Sequence, residues 1–396
     1  MGNALLPESL LSLLWRTFPE GAVSQKREQS WTETGLVSSL WSKCEHPLRH
    51  RLLGFECRPG DFRYCDPRSG GRKWAAEYRT HLQIDKDTAA DWLHRAALHC
   101  RQIMLYLWQN LPVAECQLDE LWSFVHTKEQ NLFAAKQWCE TYGDAWIWLA
   151  FAPLWRLVLA FVVGKRTQAS ANLLLERVTH VTDAHIPFFT SDQLAEYRTA
   201  LLHSYGQWYQ PARNGSRGCY PKPRRIAPPE LLYAQVVKER QRGQVVAVTT
   251  KVVFGEATAI KTRLESLATS TTINTSFVER ENFTLRQHNR RLTRKTSGFS
   301  KELPWLEKHL WLTLAYYHLV LPHESLRQHL DVPEPTRGGG SARRWRPITP
   351  AMAAGMTDHI WTTTELLSYR VPASFVDTLH TVEHLFPVPD GVHQGS

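Results

Sequence analysis

The run from Trp146 to Val163 contains a single charge, Arg156, and restricts the fold more than any other stretch of the chain. As one helix it is long enough to cross a bilayer. Pro153 and Arg156 fall at its middle, where a spanning helix tolerates proline and charge least. Two buried strands joined by a turn near Pro153–Arg156 account for the same residues. The predicted element is therefore a hairpin, and no membrane association is expected.

At 396 residues the chain exceeds the usual single-domain size, so two or three structural units are expected. With 43% apolar residues it can bury a sizeable core. Its 47 Lys and Arg against 38 Asp and Glu leave a net charge of +9, which favours a polyanionic partner through neutralised phosphates and released counterions. The seven cysteines (44, 57, 65, 100, 116, 139 and 219) are odd in number and lack paired spacing. They suit a reducing cytoplasm rather than a secreted disulfide framework. Cys44, His46, His50, Cys57 and Cys65 offer zinc-type ligands, but no C-x-x-C clamp brings them together, and unliganded side chains are expected. The apolar N-terminus is interrupted by Glu8, Arg16 and Glu20 and has no basic leader, so no signal peptide is predicted.

Residues 1–72 have no readable pattern. In 73–112, Trp74, Ala75, Tyr78 and Leu82 recur at helical spacing before a break at Ile84-Asp85-Lys86. A second helix follows, capped by Asp87 or Thr88 and carrying Ala89, Ala90, Trp92, Leu93 and Ala96. The pair reads either as a helix-turn-helix-like DNA-binding region, with Arg95 and His99 facing DNA, or as an ordinary helical pair. Next come a strand over 116–125, the hairpin, a helix over 168–178, a strand over 186–190 ending at Asp192, and a helix over 193–205. That order opens an RNase H-like α/β fold, assigned here to residues 113–330. Within it, 206–270 is an insertion, comprising a basic loop with Arg224 and Arg225 and a β-branched strand over 244–253. Helix returns over 274–294 and 306–319. Residues 331–396, opening on the glycine-rich Thr336–Ser341 stretch, read as linker and tail.

Three of these elements place a carboxylate at one end. In a strand, Asp119 and Glu120 point to opposite faces, so only one of them is expected in any one site. Asp192 ends a strand, where α/β sheets bind ligands, though it would serve equally as a helix N-cap. Glu279 lies beside the apolar stripe Val278, Leu285 and Leu292 and shares a helix face with Asn282, Phe283, Arg286 and Arg290. It reads either as a metal ligand backed by phosphate-binding cations or as an acidic residue favoured by the helix dipole. The order Asp, Asp, Glu suits two-metal phosphoryl transfer, because hard divalent cations take oxygen ligands.

The segments Gln117–Trp122, Phe188–Asp192, Asn274–Arg280 and Thr349–Gly355, together with Arg286–Thr296 and Tyr220–Arg225, resemble the insertion-sequence-one group of bacterial and archaeal DDE transposases over roughly residues 73–370. The Asn-Thr-Ser-Phe-Val-Glu-Arg run is the most specific part of the likeness. Members commonly begin with a Cys-rich zinc segment, which residues 1–70 do not reproduce. The resemblance implies a metal-dependent polynucleotidyl transferase that cleaves and joins insertion-element ends. Asp119, Asp192 and Glu279 would hold two Mg²⁺ ions, with Mn²⁺ able to substitute. Arg280, Arg286, Arg290, Arg291, Arg294 and Lys295, with Arg95, Arg224 and Arg225, would bind DNA. The expected partners are terminal inverted repeats, target DNA and further copies of the chain, in a prokaryotic, nucleoid-associated setting. A structure-selective RNase H-like nuclease and a catalytically silent transposase-derived DNA-binding protein are the competing readings.

Overall fold

The computed structural model describes residues 86–134, 140–213, 220–336 and 340–389. The zinc-type residues 44–65 and the first helix of the expected helix-turn-helix lie outside the described residues.

The centre is a six-stranded mixed sheet in the order β3-β2-β1-β4-β7-β8. Strands β1 (Glu115–Val125), β2 (Gly143–Ala152) and β3 (Leu157–Gly164) form an antiparallel meander. The predicted hairpin is therefore present, with its turn at Pro153–Arg156 and Arg156 in a left-handed conformation (φ 55°). Leu149 to Ala152 and Leu157 to Val162 are all buried, so both faces of the hairpin are covered, as a continuous apolar run requires. Among the described residues, no helix is long and apolar enough to cross a membrane.

Strands β4 (Phe188–Asp192) and β7 (Tyr233–Gln241) run parallel to β1, and β8 (Gln244–Phe254) pairs antiparallel with β7 at the edge. This order is compatible with an RNase H-like α/β core, with β8 as the expected inserted strand. A short ribbon of β5 (Gln207–Tyr209) and β6 (Arg224–Ile226) precedes β7.

Helices cover both faces. On one side lie α2 (Gln168–Val181) and α3 (Ala195–Tyr205), whose Tyr197 ring meets Trp148 edge-on at 5.6 Å. The other side carries α5 (Ser276–His288) and α6 (Leu303–Leu319), whose Trp311 meets Phe161 edge-on at 4.7 Å. Helix α4 (Ala257–Ser266) follows β8 and buries Ile260.

Three expectations about the helices and the tail are corrected. The helix predicted to enter a DNA groove is α1 (Lys86–Leu107), which continues past His99 because Cys100, Ile103 and Met104 extend its apolar stripe. It packs on α6. His99 is buried, and burial lowers its imidazole pKa, while Arg95 pairs with Asp91 at 2.9 Å, so the two do not jointly face DNA. The helix expected over 274–294 stops at His288. Asn289 is fully buried, donates to Thr313 Oγ1 (3.2 Å) and accepts the Arg291 amide (3.1 Å), which starts a separate 3₁₀ turn over Arg290–Leu292. That turn still delivers Leu292 to the core beside Val278 and Leu285.

The C-terminal region is also more than a tail. Strands β9 (Gln328–Glu334) and β10 (Arg343–Arg346) form a ribbon, and α7 (Pro350–Ala353), α8 (Thr363–Ser368) and α9 (Ala373–Val376) follow. Trp361, Leu366 and Phe386 enter the main core. The carbonyl of Phe386 accepts from Arg101 and that of Leu385 from Arg177 (2.6 Å), which fastens the segment to α1 and α2. Of the Thr336–Ser341 stretch, residues 337–339 lie outside the described residues.

Candidate metal centre

Strand β4 ends at Asp192, whereas its neighbours β1 and β7 continue to Val125 and Gln241. A notch therefore opens between β1 and β7 at the carboxyl end of β4, the usual position for a ligand in an α/β sheet. Gln117 lies opposite Thr190 and Leu118 opposite Ser191, which brings Asp119 beside Asp192 on the α5 face.

One carboxylate oxygen from each of Asp119, Glu120 and Asp192 lies within 4.8 Å of the other two. The expectation that Asp119 and Glu120 could not contribute to one site is corrected. The two side chains do leave β1 on opposite faces, as Glu120 reaches Tyr197 on α3 and Asp119 reaches Asn282 on α5. With no β4 residue beyond Asp192 to separate them, both carboxylates border the same notch.

Their surroundings differ. Glu120 is held by Arg166 and by the Tyr197 hydroxyl, which donates to Oε2 at 3.0 Å. Asp119 Oδ2 accepts from Asn282 Nδ2 at 2.7 Å. Asp192 is not the N-cap of α3, a position held by Leu194 without a side-chain bond, and its Oδ1 is buried with no hydrogen-bond partner among the described residues. Burial, with Asp192, Glu120 and Glu279 adding repulsion, raises the Asp119 pKa to about 8. Burial also raises Asp192 and Glu120, the latter with help from the Asp192 charge. A cluster of desolvated, mutually repelling carboxylates with one orphaned oxygen fits a hard divalent cation, which would satisfy that oxygen and cancel the repulsion.

Glu279 borders this cluster without joining it. Its carboxylate pairs with Lys238 of β7 and accepts from Thr275 Oγ1 at 2.7 Å. Its position follows from the Asn-Thr-Ser run. Asn274 Oδ1 accepts from the Ser276 amide (3.2 Å) and Oγ (2.7 Å), while its carbonyl accepts from Thr190 Oγ1 (3.1 Å). Gln117 Oε1 then takes the Val278 amide at 3.1 Å, satisfying an N-terminal helix donor and fastening α5 to β1.

The cations assigned to DNA separate into two groups. Arg280, Arg294, Lys295 and Arg224 are exposed, while Arg290 and Arg225 are half-buried. Arg286, by contrast, donates to the carbonyls of Trp122 (3.0 Å) and Leu292, and burial lowers its pKa to about 10. Arg291 is likewise desolvated and bonds Ser300 Oγ at 3.3 Å. Both make hydrogen bonds within the protein, because the chain breaks at Asn289 and folds back over them. Arg286→Ala is therefore expected to cost about 3 kcal/mol of stability, through two lost charge-assisted hydrogen bonds. Urea unfolding measures that cost, and an unchanged midpoint would return Arg286 to the DNA.

Residues that sequence reasoning missed include Lys238, Arg166 and Tyr197. Lys238 had a local signal as the first cation after four buried strand residues, Tyr233–Val236. Arg166 and Tyr197 had none, since only the tertiary fold brings them to Glu120. Compared with known proteins, the chain matches no family model, no curated protein and no solved structure.

Proposed function

We propose that the chain is a metal-dependent DNA-cleaving and strand-joining enzyme of the DDE transposase type, with Asp119, Asp192 and Glu279 at its centre. The observation that carries the reading is the meeting of Asp119 and Asp192 at the end of β4, beside the α5 turn that bears Glu279. Asp119, Asp192 and Glu279 would hold two divalent cations, Mg²⁺ or Mn²⁺, which when bound supply an activated water or DNA 3′-hydroxyl and stabilise the leaving oxygen.

The protein's own residues prepare that site. Asn282 holds one oxygen of Asp119. Lys238 holds Glu279 until a cation competes for it. Arg166 and Tyr197 fix Glu120 at the border, and Ser191 and Tyr233 hydroxyls, 2.7 Å apart, support the end of β4 from behind. The net charge of +9 and the exposed Arg280, Arg294 and Lys295 favour a phosphodiester substrate.

The test uses the element's own end sequences on a labelled duplex, with supercoiled plasmid as target. Mn²⁺-dependent release of a 3′-hydroxyl end, followed by its covalent joining to the plasmid, is expected. Cleavage without joined product would move the assignment to an RNase H-like nuclease. Binding without either would move it to a silent DNA-binding protein.

A further inference from the structure

Among the described residues few large aromatic side chains are exposed, and Trp108, Trp148, Tyr197 and Tyr233 are among the largest fully buried groups. The β5–β6 ribbon departs from that rule. Trp208 is 68% exposed and Tyr220, just before β6, is 72% exposed. Each carries a guanidinium on its ring, Arg225 at 5.2 Å from Trp208 and Arg213 at 4.9 Å from Tyr220. Trp208 and Arg225 are a cross-strand pair, as are Tyr209 and Arg224. Arg225 is fixed in turn by donating to the Leu202 carbonyl at the end of α3 (3.4 Å). No Asp or Glu occurs between Gln207 and Ile226, whereas Arg213, Lys222, Arg224 and Arg225 all do.

We propose that this ribbon is a stacking platform for unpaired bases of a single-stranded nucleic acid, separate from the carboxylate notch. An exposed ring with a cation against it offers a flat apolar surface and a phosphate contact in one unit, and this ribbon and its lead-in carry two such units. The partner's chemistry follows from that combination. Acid-free basic charge calls for a polyanion, and open aromatic faces call for planar groups that are not already stacked. A duplex offers the first but keeps its base faces occupied, whereas single strands offer both. The platform is also remote from the notch. It leaves the C-terminal end of α3, whose 11 residues span about 16 Å from the Asp192 side. A strand held there would be anchored well away from the carboxylates.

The proposal is tested with the full-length chain in EDTA, so that its outcome is independent of whether the notch cleaves DNA. Fluorescence anisotropy would follow labelled 12-nucleotide oligo-dT, the matching oligo-rU, a 12-base-pair duplex, and vesicles of phosphatidylcholine with phosphatidylglycerol. Trp208→Ala and Tyr220→Ala are each expected to weaken oligo-dT or oligo-rU binding about tenfold, with the duplex nearly unaffected. The stronger of the two oligonucleotides identifies the sugar. Trp208→Phe should restore most of the loss, and Arg224→Gln should lower the slope of binding against log salt by about 0.7. Both rings are exposed, so unchanged melting temperatures confirm that the variants remain folded. Unchanged oligonucleotide affinity in Trp208→Ala and Tyr220→Ala overturns the proposal. So does a loss confined to the vesicles, which would make the ribbon a membrane-surface contact.

Discussion

Asp119→Asn, Asp192→Asn and Glu279→Gln are each expected to lower Mn²⁺-dependent DNA cleavage about 10³-fold or more, because each removes an oxygen ligand and several kcal/mol of charge stabilisation with it. All three variants should fold and bind DNA in EDTA much as wild type does, since none of the three changes alters side-chain volume appreciably. Glu120→Gln is the informative comparison. Glu120 belongs to the cluster of oxygens within 4.8 Å, but its carboxylate is already bonded to Arg166 and Tyr197. Glu279 stands outside that cluster, and among the described residues its carboxylate is held by Lys238 and Thr275. If cation entry draws Glu279 away from Lys238, Glu120→Gln should cost only about tenfold, through a loosened Arg166 and Tyr197. The opposite ranking, with Glu120→Gln inactive and Glu279→Gln active, would make Glu120 the third ligand and remove the DDE assignment.

Lys238→Met separates the same alternatives by a route that does not depend on turnover. In the metal-free protein Lys238 competes with any cation for Glu279. Its removal should therefore tighten Mn²⁺ binding if Glu279 is a ligand, and should leave it nearly unchanged if Glu120 is.

Local pattern was enough to read five of the sheet's six strands but not β7, which lies inside the stretch expected as an insertion and pairs with β4. The apolar Trp146–Val163 run could only be a hairpin once Pro153 and Arg156 were placed at its middle, and the structure has its turn there. Asp192 could be placed at a strand end because Phe188-Phe189 is a short apolar run that stops at polar residues. The helix over Ser276–His288 was legible from Val278 and Leu285, but its end was not. Asn289 stops it by bonding Thr313 on α6, a partner 24 residues away that no local pattern reveals. The same break turned Arg286 and Arg291 inward, so charge alone gave the wrong surroundings for both. The tail was misjudged for a related reason. Trp361, Leu366 and Phe386 are isolated apolar residues in a polar stretch, and only the core they reach, with Arg101 and Arg177 behind it, gives them weight. At the site, strand alternation correctly separated Asp119 from Glu120 by face. It did not reveal that β4 ends between them and leaves one notch open to both.

The metal-free protein should be held back by its own site, and pH should show it. Asp119 has a pKa of about 8 in the folded chain against an ordinary value of 3.8, so between those values the folded state binds more protons than the unfolded one. Stability from this group is then fully present below about pH 4 and is lost as pH rises towards 8, where folding must bury an ionised carboxylate among others. In EDTA, Asp119→Asn removes that ionisation, so the variant should gain on wild type steadily from pH 5 to pH 8 and melt above it at pH 8. Mn²⁺ should reverse the order. A cation at about 100 times its dissociation constant contributes about 2.7 kcal/mol, which for a chain of this size raises the melting temperature by about 3 °C. Wild type should show that rise at pH 8 and less of it at pH 5, where protons compete for the same oxygens. Asp119→Asn should show little at either pH, and Ca²⁺ should stabilise wild type without supporting cleavage if the notch binds hard cations generally. A wild-type melting temperature that changes neither with pH in EDTA nor with Mn²⁺ would mean that these carboxylates do not form one electrostatic unit, and the metal assignment would fall with it.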